Sequence, residues 1–266
     1  MLLAWLPDIH LNFLHAGEAE QFFASVRATS ADAILLTGDI GEADTVVRWL
    51  EQLDDALARP IYFVLGNHDF YRGSLAGVRH AVIELTERRS NLKYLTALDV
   101  VELTKSVGLV GDDGWADARL GDYEKSYVMM NDYRLIAELA LLSKQDRLPK
   151  LRQLGDKAAG HIRRVLPMAL ARYPHVVLAT HLPPFREACW HEGQISDNEW
   201  LPHFTCKAIG DAILEIMRGK PDKKLTVYCG HTHSAGICEP LPNVVVHTGG
   251  AKYGEPRVQG VVELWP

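Results

Sequence analysis

The 266-residue chain is 47% hydrophobic and 23% charged, which excludes a disordered tract, a collagen-like repeat and a disulfide-stapled mini-scaffold. Lys and Arg total 28 against 34 Asp and Glu, and the net charge of −6 argues against a general nucleic-acid binder with a strongly basic face. At this length one large core is available, since sandwich and α/β folds often place about 250 residues around one.

The N-terminal Met1-Leu2-Leu3-Ala4-Trp5-Leu6 has no basic leader and no small-residue cleavage site, so it reads as a buried strand rather than a signal peptide. A helix follows over 18–28, with Phe22, Phe23 and Val26 on one face. Residues 33–36 form a strand, and 45–57 a helix carrying Val46, Trp49, Leu50 and Leu53 at the 3.6 period. A strand over 61–65 and a helix over 75–88 complete a βαβαβα alternation, the pattern of a sheet with crossover helices. Further strands fit 91–95, 100–103, 107–110, 176–179, 225–228, 244–247 and 258–264. The last group is separated by Gly and Pro and is expected to form antiparallel ribbons.

The expected architecture is an α/β (α+β) four-layer sandwich, two mixed β-sheets flanked by α-helices, with inserted cap segments. One domain is expected over 1–266, with inserts at about 112–174 and 182–205. The first insert holds a helical stretch from 146 to 172 after an aromatic-polar segment, and the second holds Trp190, Trp200 and Phe204. Connections of this length often form lids or recognition loops. No run approaches the roughly 18 uninterrupted apolar residues of a membrane span, and a cytoplasmic protein is expected. The four cysteines have no CxxC spacing and read as reduced thiols.

Polar residues gather where strands end. The segments are Asp8-Ile9-His10, Gly38-Asp39, Gly66-Asn67-His68-Asp69, Thr180-His181 and Gly230-His231-Thr232-His233. In open α/β sheets the carboxyl ends of strands are where ligand sites gather. Any one of these motifs is weak, but the ordered set is not. Carboxylate, amide and imidazole donors without thiolate suit Mn, Fe, Zn, Co or Ni rather than a structural zinc. Two such cations about 3.5–4 Å apart, bridged by a carboxylate, activate a water and neutralise charge on a phosphoryl group.

This ordered set resembles the calcineurin-like metallophosphoesterase superfamily from residue 8 to 233. The resemblance implies a β-sandwich flanked by helices. It also implies one metal held by Asp8, His10, Asp39 and His233, and a second by Asp39, Asn67, His181 and His231, with Asp39 bridging. Manganese or iron are the foremost candidates for the pair. His68 would face the scissile phosphate and protonate the leaving oxygen, with Asp69 a candidate to orient its imidazole. Pro7 precedes Asp8 where the family often has Ser or Thr. Ile40-Gly41-Glu42 follows Asp39, and the Asp-Arg-Gly of protein serine/threonine phosphatases is absent.

The implied activity is hydrolysis of a phosphomonoester or phosphodiester by in-line attack of a hydroxide bridging two divalent metals. A small-molecule or nucleotide substrate is favoured. The alternatives are a nuclease and a non-catalytic metal-binding scaffold. No membrane partner is expected. Beyond this set, His191 and His203 lie in the second insert, where they could reach the mouth of the site, and Asp112-Asp113 after a strand fits an approach to the metals and a plain turn equally, whereas Arg72 and the basic residues Arg147, Lys150, Arg152, Arg163 and Arg164 read as solvated.

Overall fold

The computed structural model describes residues 1–265. Its strands are β1 (Leu2–Leu6), β2 (Ala33–Thr37), β3 (Ile61–Val64), β4 (Leu92–Tyr94), β5 (Val101–Glu102), β6 (Val107–Asp112), β7 (His175–Thr180), β8 (Trp190–His191), β9 (Gln194–Ile195), β10 (Lys224–Cys229), β11 (Gly236–Leu241), β12 (Val244–Thr248) and β13 (Gly260–Glu263). Its helices are α1 (Glu18–Ala28), α2 (Val46–Leu57), α3 (Leu75–Arg88), α4 (Asp132–Leu135), α5 (Ala137–Ala140), α6 (Lys144–Arg172), α7 (Leu201–Phe204) and α8 (Lys207–Met217).

Two mixed sheets face each other. One runs β13-β1-β2-β3-β4, the other β11-β12-β10-β7-β6-β5, while β8 and β9 form a small separate ribbon. The period of two along each strand divides the core. On β1, Leu3 and Trp5 point between the sheets, where they join Leu35, Val64, Leu109, Val177 and Tyr228. The alternate residues Ala4 and Leu6 face outward and pack with Ile34, Leu36 and Phe63 against Phe22 and Val26 of α1, Leu50 and Leu53 of α2, and Val82 and Leu85 of α3. The second sheet does the same with Val176, Leu178, Leu225 and Val227 against Ile162, Val165 and Leu166 of α6 and Ile209 and Ile213 of α8. Helix, sheet, sheet and helix are the four layers.

The C-terminal strands differ from expectation in part. β10 pairs parallel with both β7 and β12, whereas β12 with β11 and β13 with β1 form the expected antiparallel pairs. Between β7 and β10 the chain crosses over through α8, and between β10 and β12 it returns through β11. The buried Ala208, Ile209, Ala212, Ile213 and Met217 of α8 carry a helical period. Within the two large sheets, the antiparallel pairs among the described residues are those of the outer strands β13, β11 and β5, and the separate β8–β9 ribbon is antiparallel as well.

Within 112–174, α6 is the crossover from β6 to β7. Its Ser143 cap accepts a hydrogen bond from the Asp146 amide at 3.2 Å. Arg147 is buried rather than solvated, with its guanidinium carbon 3.9 Å from the centroid of the Tyr133 ring. Arg163 and Arg164 make exposed ion pairs with Glu215 and Asp99. The cysteines are free, Cys189, Cys206 and Cys229 being buried and Cys238 half-buried. Among the described residues, no helix is long and apolar enough to cross a membrane.

Candidate metal centre

The parallel strands deliver their C-terminal ends to one place. Asp8 and His10 follow β1, Asp39 follows β2, Asn67 and His68 follow β3, His181 follows β7, and His231 and His233 follow β10. Both sheets therefore contribute to the site. The turns are tight: Asp8, His10, Asp39, His231 and His233 all have positive φ, between 41° and 71°. Asp and His tolerate this left-handed region better than most residues, yet each such placement costs of order 1–3 kcal/mol. Half of the ten non-glycine residues with positive φ among the described residues lie here, so backbone strain is concentrated at the site.

Glycine supplies the space. A Cβ on Gly66 would strike the Asp39 carboxylate and come within 2.7 Å of the His181 ring, and one on Gly230 would strike Asp8. The glycines of these motifs let the two sheets' loops close on one another.

The donor atoms form two groups. In the first, ligand atoms of Asp8, His10, Asp39 and His233 all lie within 4.8 Å of one another. His10 Nε2 and His233 Nε2 are 3.0 Å apart, and His10 Nε2 lies 3.6 Å from Asp39 Oδ2. In the second, Asn67 Oδ1 is 3.0 Å from both His181 Nε2 and His231 Nδ1, which are 3.1 Å from each other. His181 Nε2 also lies 3.4 Å from Asp39 Oδ1. The two oxygens of Asp39 thus face different groups.

The tautomers follow from the outer contacts. His181 donates from Nδ1 to the Thr37 carbonyl at 2.9 Å, which leaves a lone pair on Nε2 inside the cluster. His231 Nε2 lies 3.3 Å from the His203 carbonyl, which turns Nδ1 inward. Burial lowers the pKa of His10 to about 3 and of His233 to about 4, and drives His231 well below the usual value. With their outer nitrogens facing carbonyls, His181 and His231 turn two lone pairs toward each other at 3.1 Å, with Asn67 Oδ1 3.0 Å from both. The Asp8 Oδ2 is likewise buried with no hydrogen-bond partner. Burial, then the neighbouring Asp39, pushes the Asp8 pKa well up when no cation is present. Converging lone pairs and an orphaned carboxylate oxygen fit cations, and the donor set fits two.

All seven expected ligands come together, and His68 stands beside them, its ring centroid 4.7 Å from that of His10. Asp69 does something other than orient His68. Its Oδ1 accepts the amides of Ile40 and Gly41 at 2.9 and 2.8 Å, and its Oδ2 accepts that of Gly66 at 2.8 Å. It staples the β2 loop to the β3 loop. Asp113 plays a similar part: its Oδ1 accepts the Leu65 amide at 2.8 Å and its carbonyl that of His181 at 3.1 Å. Arg72 pairs with Glu42. His191 lines the pocket above the donor groups, whereas His203 is buried, bonded to Tyr133 and Ser126 at 2.6 and 2.9 Å.

Three neighbours were not legible from the sequence. Asp132 Oδ1 accepts from Asn67 Nδ2 and from the Tyr71 hydroxyl, each at 2.8 Å. Tyr253 places its hydroxyl 3.5 Å from His68 Nε2 and its ring 4.6 Å from that of His10. None of these three stands in a motif that marks it. Asn67 and Tyr71 share only a four-residue spacing.

The family model described as calcineurin-like phosphoesterase matches residues 1–235. The fold is similar to that of the phosphopantetheinyl hydrolase of Mycobacterium tuberculosis, with a TM-score of 0.65 at 16% identity over 95% of this chain and 89% of that one. A dimetal phosphatase from Danio rerio aligns with a TM-score of 0.55 at 15% identity, over 94% and 87%. A protein of Thermus thermophilus gives 0.56 at 13%, over 94% and 88%. No curated protein sequence matches.

Proposed function

The chain belongs to the calcineurin-like phosphoesterases, and from that premise we propose that it hydrolyses a phosphomonoester or phosphodiester of a small molecule or nucleotide at a two-metal centre. The observation that carries this reading is the division of Asp39, whose Oδ2 faces His10 and whose Oδ1 faces His181. One carboxylate serving two donor groups is what a bridging ligand requires. In this reading Asp8, His10, Asp39 and His233 hold one ion and Asp39, Asn67, His181 and His231 the other, manganese or iron being the pair favoured. Residues 1–266 act as one catalytic unit, with parts of 112–174 and 182–205 as its cap.

Bound divalent cations supply an activated water as nucleophile and neutralise charge on the phosphoryl oxygens. The chain's own contribution is positional. Thr37 and His203 carbonyls fix the imidazole tautomers, and Asp132 holds the Asn67 amide with its oxygen turned inward. The His68 amide donates to Asp39 Oδ1 at 2.9 Å, tying the acid's loop to the bridging carboxylate. His68 Nδ1 is enclosed, so Nε2 is the nitrogen from which a proton reaches the leaving oxygen.

The test is hydrolysis of p-nitrophenyl phosphate and bis-p-nitrophenyl phosphate by the manganese-loaded protein, beside Asp39→Asn. Turnover of either ester that falls at least about a hundredfold in the variant is expected. Silence on both esters across Mn, Fe, Zn, Co and Ni would overturn the reading in favour of a scaffold.

A further inference from the structure

The walls above the donor groups carry a second kind of information. A cavity of about 240 Å³ opens over Asp39, Asn67 and His68 and is walled by Met130, His191, Trp200, Phe204 and Tyr253. It continues into an outer groove of about 510 Å³ that adds Tyr127, Val128, Met129 and Glu199. Among the described residues, no lysine or arginine lines either one. The carboxylate Glu199 is the nearest fixed charge in the groove, and it accepts the Tyr127 amide at 3.2 Å.

Large aromatic and thioether side chains gather at the rim. Tyr127 is 94% exposed, Met129 53%, Tyr253 46% and Trp200 36%, and these four share the groove. Phe13, also exposed, lies 4.7 Å from Tyr253 between ring centroids. Inside the mouth Trp200 stacks on Phe204 with centroids 5.1 Å apart, and His191 packs on both. Exposed aromatic and thioether side chains gathered over the donor groups offer faces on which a flat or flexible apolar group can pack.

Resting on the phosphoesterase reading, we infer that the substrate carries one phosphoryl group on an uncharged apolar or aromatic body, and that Trp200, Met129 and Tyr253 select for it. A second phosphate, a polyphosphate chain or a nucleic-acid backbone brings anionic oxygens that require arginine or lysine partners. These walls offer thioether and ring faces, and the fixed charge that Glu199 brings to the outer groove is of the wrong sign. A flat or flexible apolar group, by contrast, packs on the exposed faces of Trp200, Met129 and Tyr253 and releases the water they hold. The net charge of −6 adds a long-range field that disfavours polyanions.

The experiment uses the manganese-loaded full chain. The series is 2-naphthylethyl phosphate, glycerol 3-phosphate and a single-stranded oligonucleotide, which all release an alkoxide, and a nucleoside diphosphate, an anhydride with a better leaving group that is therefore compared by KM alone. A kcat/KM at least about tenfold higher for the naphthylethyl ester than for glycerol phosphate is expected, with Trp200→Ala removing most of that ratio through KM. Met129→Lys should lower the KM of the diphosphate relative to that of the naphthylethyl ester. A calorimetric arm compares naphthylmethyl phosphonate with methyl phosphonate, where tighter binding and a more negative heat-capacity change are expected for the former. A lower KM for the diphosphate than for the naphthylethyl ester, preference for the oligonucleotide, or equal kcat/KM across the alkoxide-releasing esters overturns the inference and leaves the phosphoesterase reading standing. Hydrolysis of none of the esters overturns that reading instead. The two phosphonates then decide the inference, equal binding sinking it.

Discussion

Asp132 Oδ1 lies 2.8 Å from the side-chain amide nitrogen of Asn67, a contact across 65 residues of sequence that joins the aromatic segment before α6 to the loop after β3. An amide can present either its oxygen or its nitrogen to a cation, and only the oxygen ligates. By accepting from Nδ2, Asp132 forces Oδ1 toward His181 and His231. Removing a partner of this kind usually costs about 10–100-fold in metal affinity. Asp132→Ala is therefore expected to weaken binding of the second metal by about that factor, measured by competition with a chromophoric chelator. Asp132→Asn keeps an acceptor and should lose less. Equal affinities in all three proteins would dismiss the orienting role.

Asp69 is expected to matter for the fold more than for the acid. It takes three backbone amides from two loops. Asp69→Ala strands those donors in the interior, each worth about 1–3 kcal/mol when left unmade. A fall in melting temperature of several degrees or more should follow, read by calorimetry on the metal-loaded protein. An unchanged melting temperature with a shifted acidic limb of the pH–rate profile would restore the orienting role expected from sequence.

For His68 the informative variable is the leaving group. The prediction is that His68→Ala retains its metal content but loses about 10²–10⁴ in kcat on an alkyl phosphate, whose alkoxide must be protonated as it departs. On p-nitrophenyl phosphate the loss should shrink, because nitrophenolate leaves without help. Equal losses on both esters would move His68 from proton donor to phosphate binder.

How much of this was readable before the fold was known depends on what each residue does. Asp8, His10, Asp39, Asn67, His181, His231 and His233 sit in short motifs at strand ends, and a strand end is visible as an apolar run meeting a polar turn. Asp132 and Tyr253 approach from segments with no periodic signal, so only three-dimensional closure brings them in. The pairing directions of β7, β10 and β12 are hidden for another reason: strand pattern carries no direction. For β7 and β10 the signal is the crossover helix α8, whose face Ile209 and Ile213 mark, and for β10 and β12 it is β11, which returns the chain between them. Arg147 shows the converse limit: a basic residue on a helix looks solvated until an aromatic ring such as Tyr133 covers it.

The apoprotein should lose stability in mild acid. Burial holds His203 neutral, its pKa lowered to about 4, while an unfolded chain's histidine titrates near 6.5. Between these values the unfolded state binds the extra proton, so stability is fully present above about pH 6.5 and is lost as pH falls toward 4. One such group contributes a loss of about 2 kcal/mol between pH 6.5 and pH 5. Denaturant titrations of metal-free protein at the two pH values should give a smaller difference for His203→Gln than for the parent. An identical difference would place the acid sensitivity elsewhere.

The left-handed turns at Asp8, His10, Asp39, His231 and His233 bear on how such a site could arise or be lost. The residue types that tolerate positive φ are glycine, asparagine, aspartate and histidine, and all but glycine are also residues whose side chains bind cations. Geometry and ligation thus draw on one small alphabet. A random substitution at these junctions opens the turn and removes the polar group together, whereas an exchange among aspartate, asparagine and histidine keeps the loop closed and changes only the chemistry it presents. Asp39→Asn is then a clean probe of the chemistry, because the loop that carries it has no reason to move.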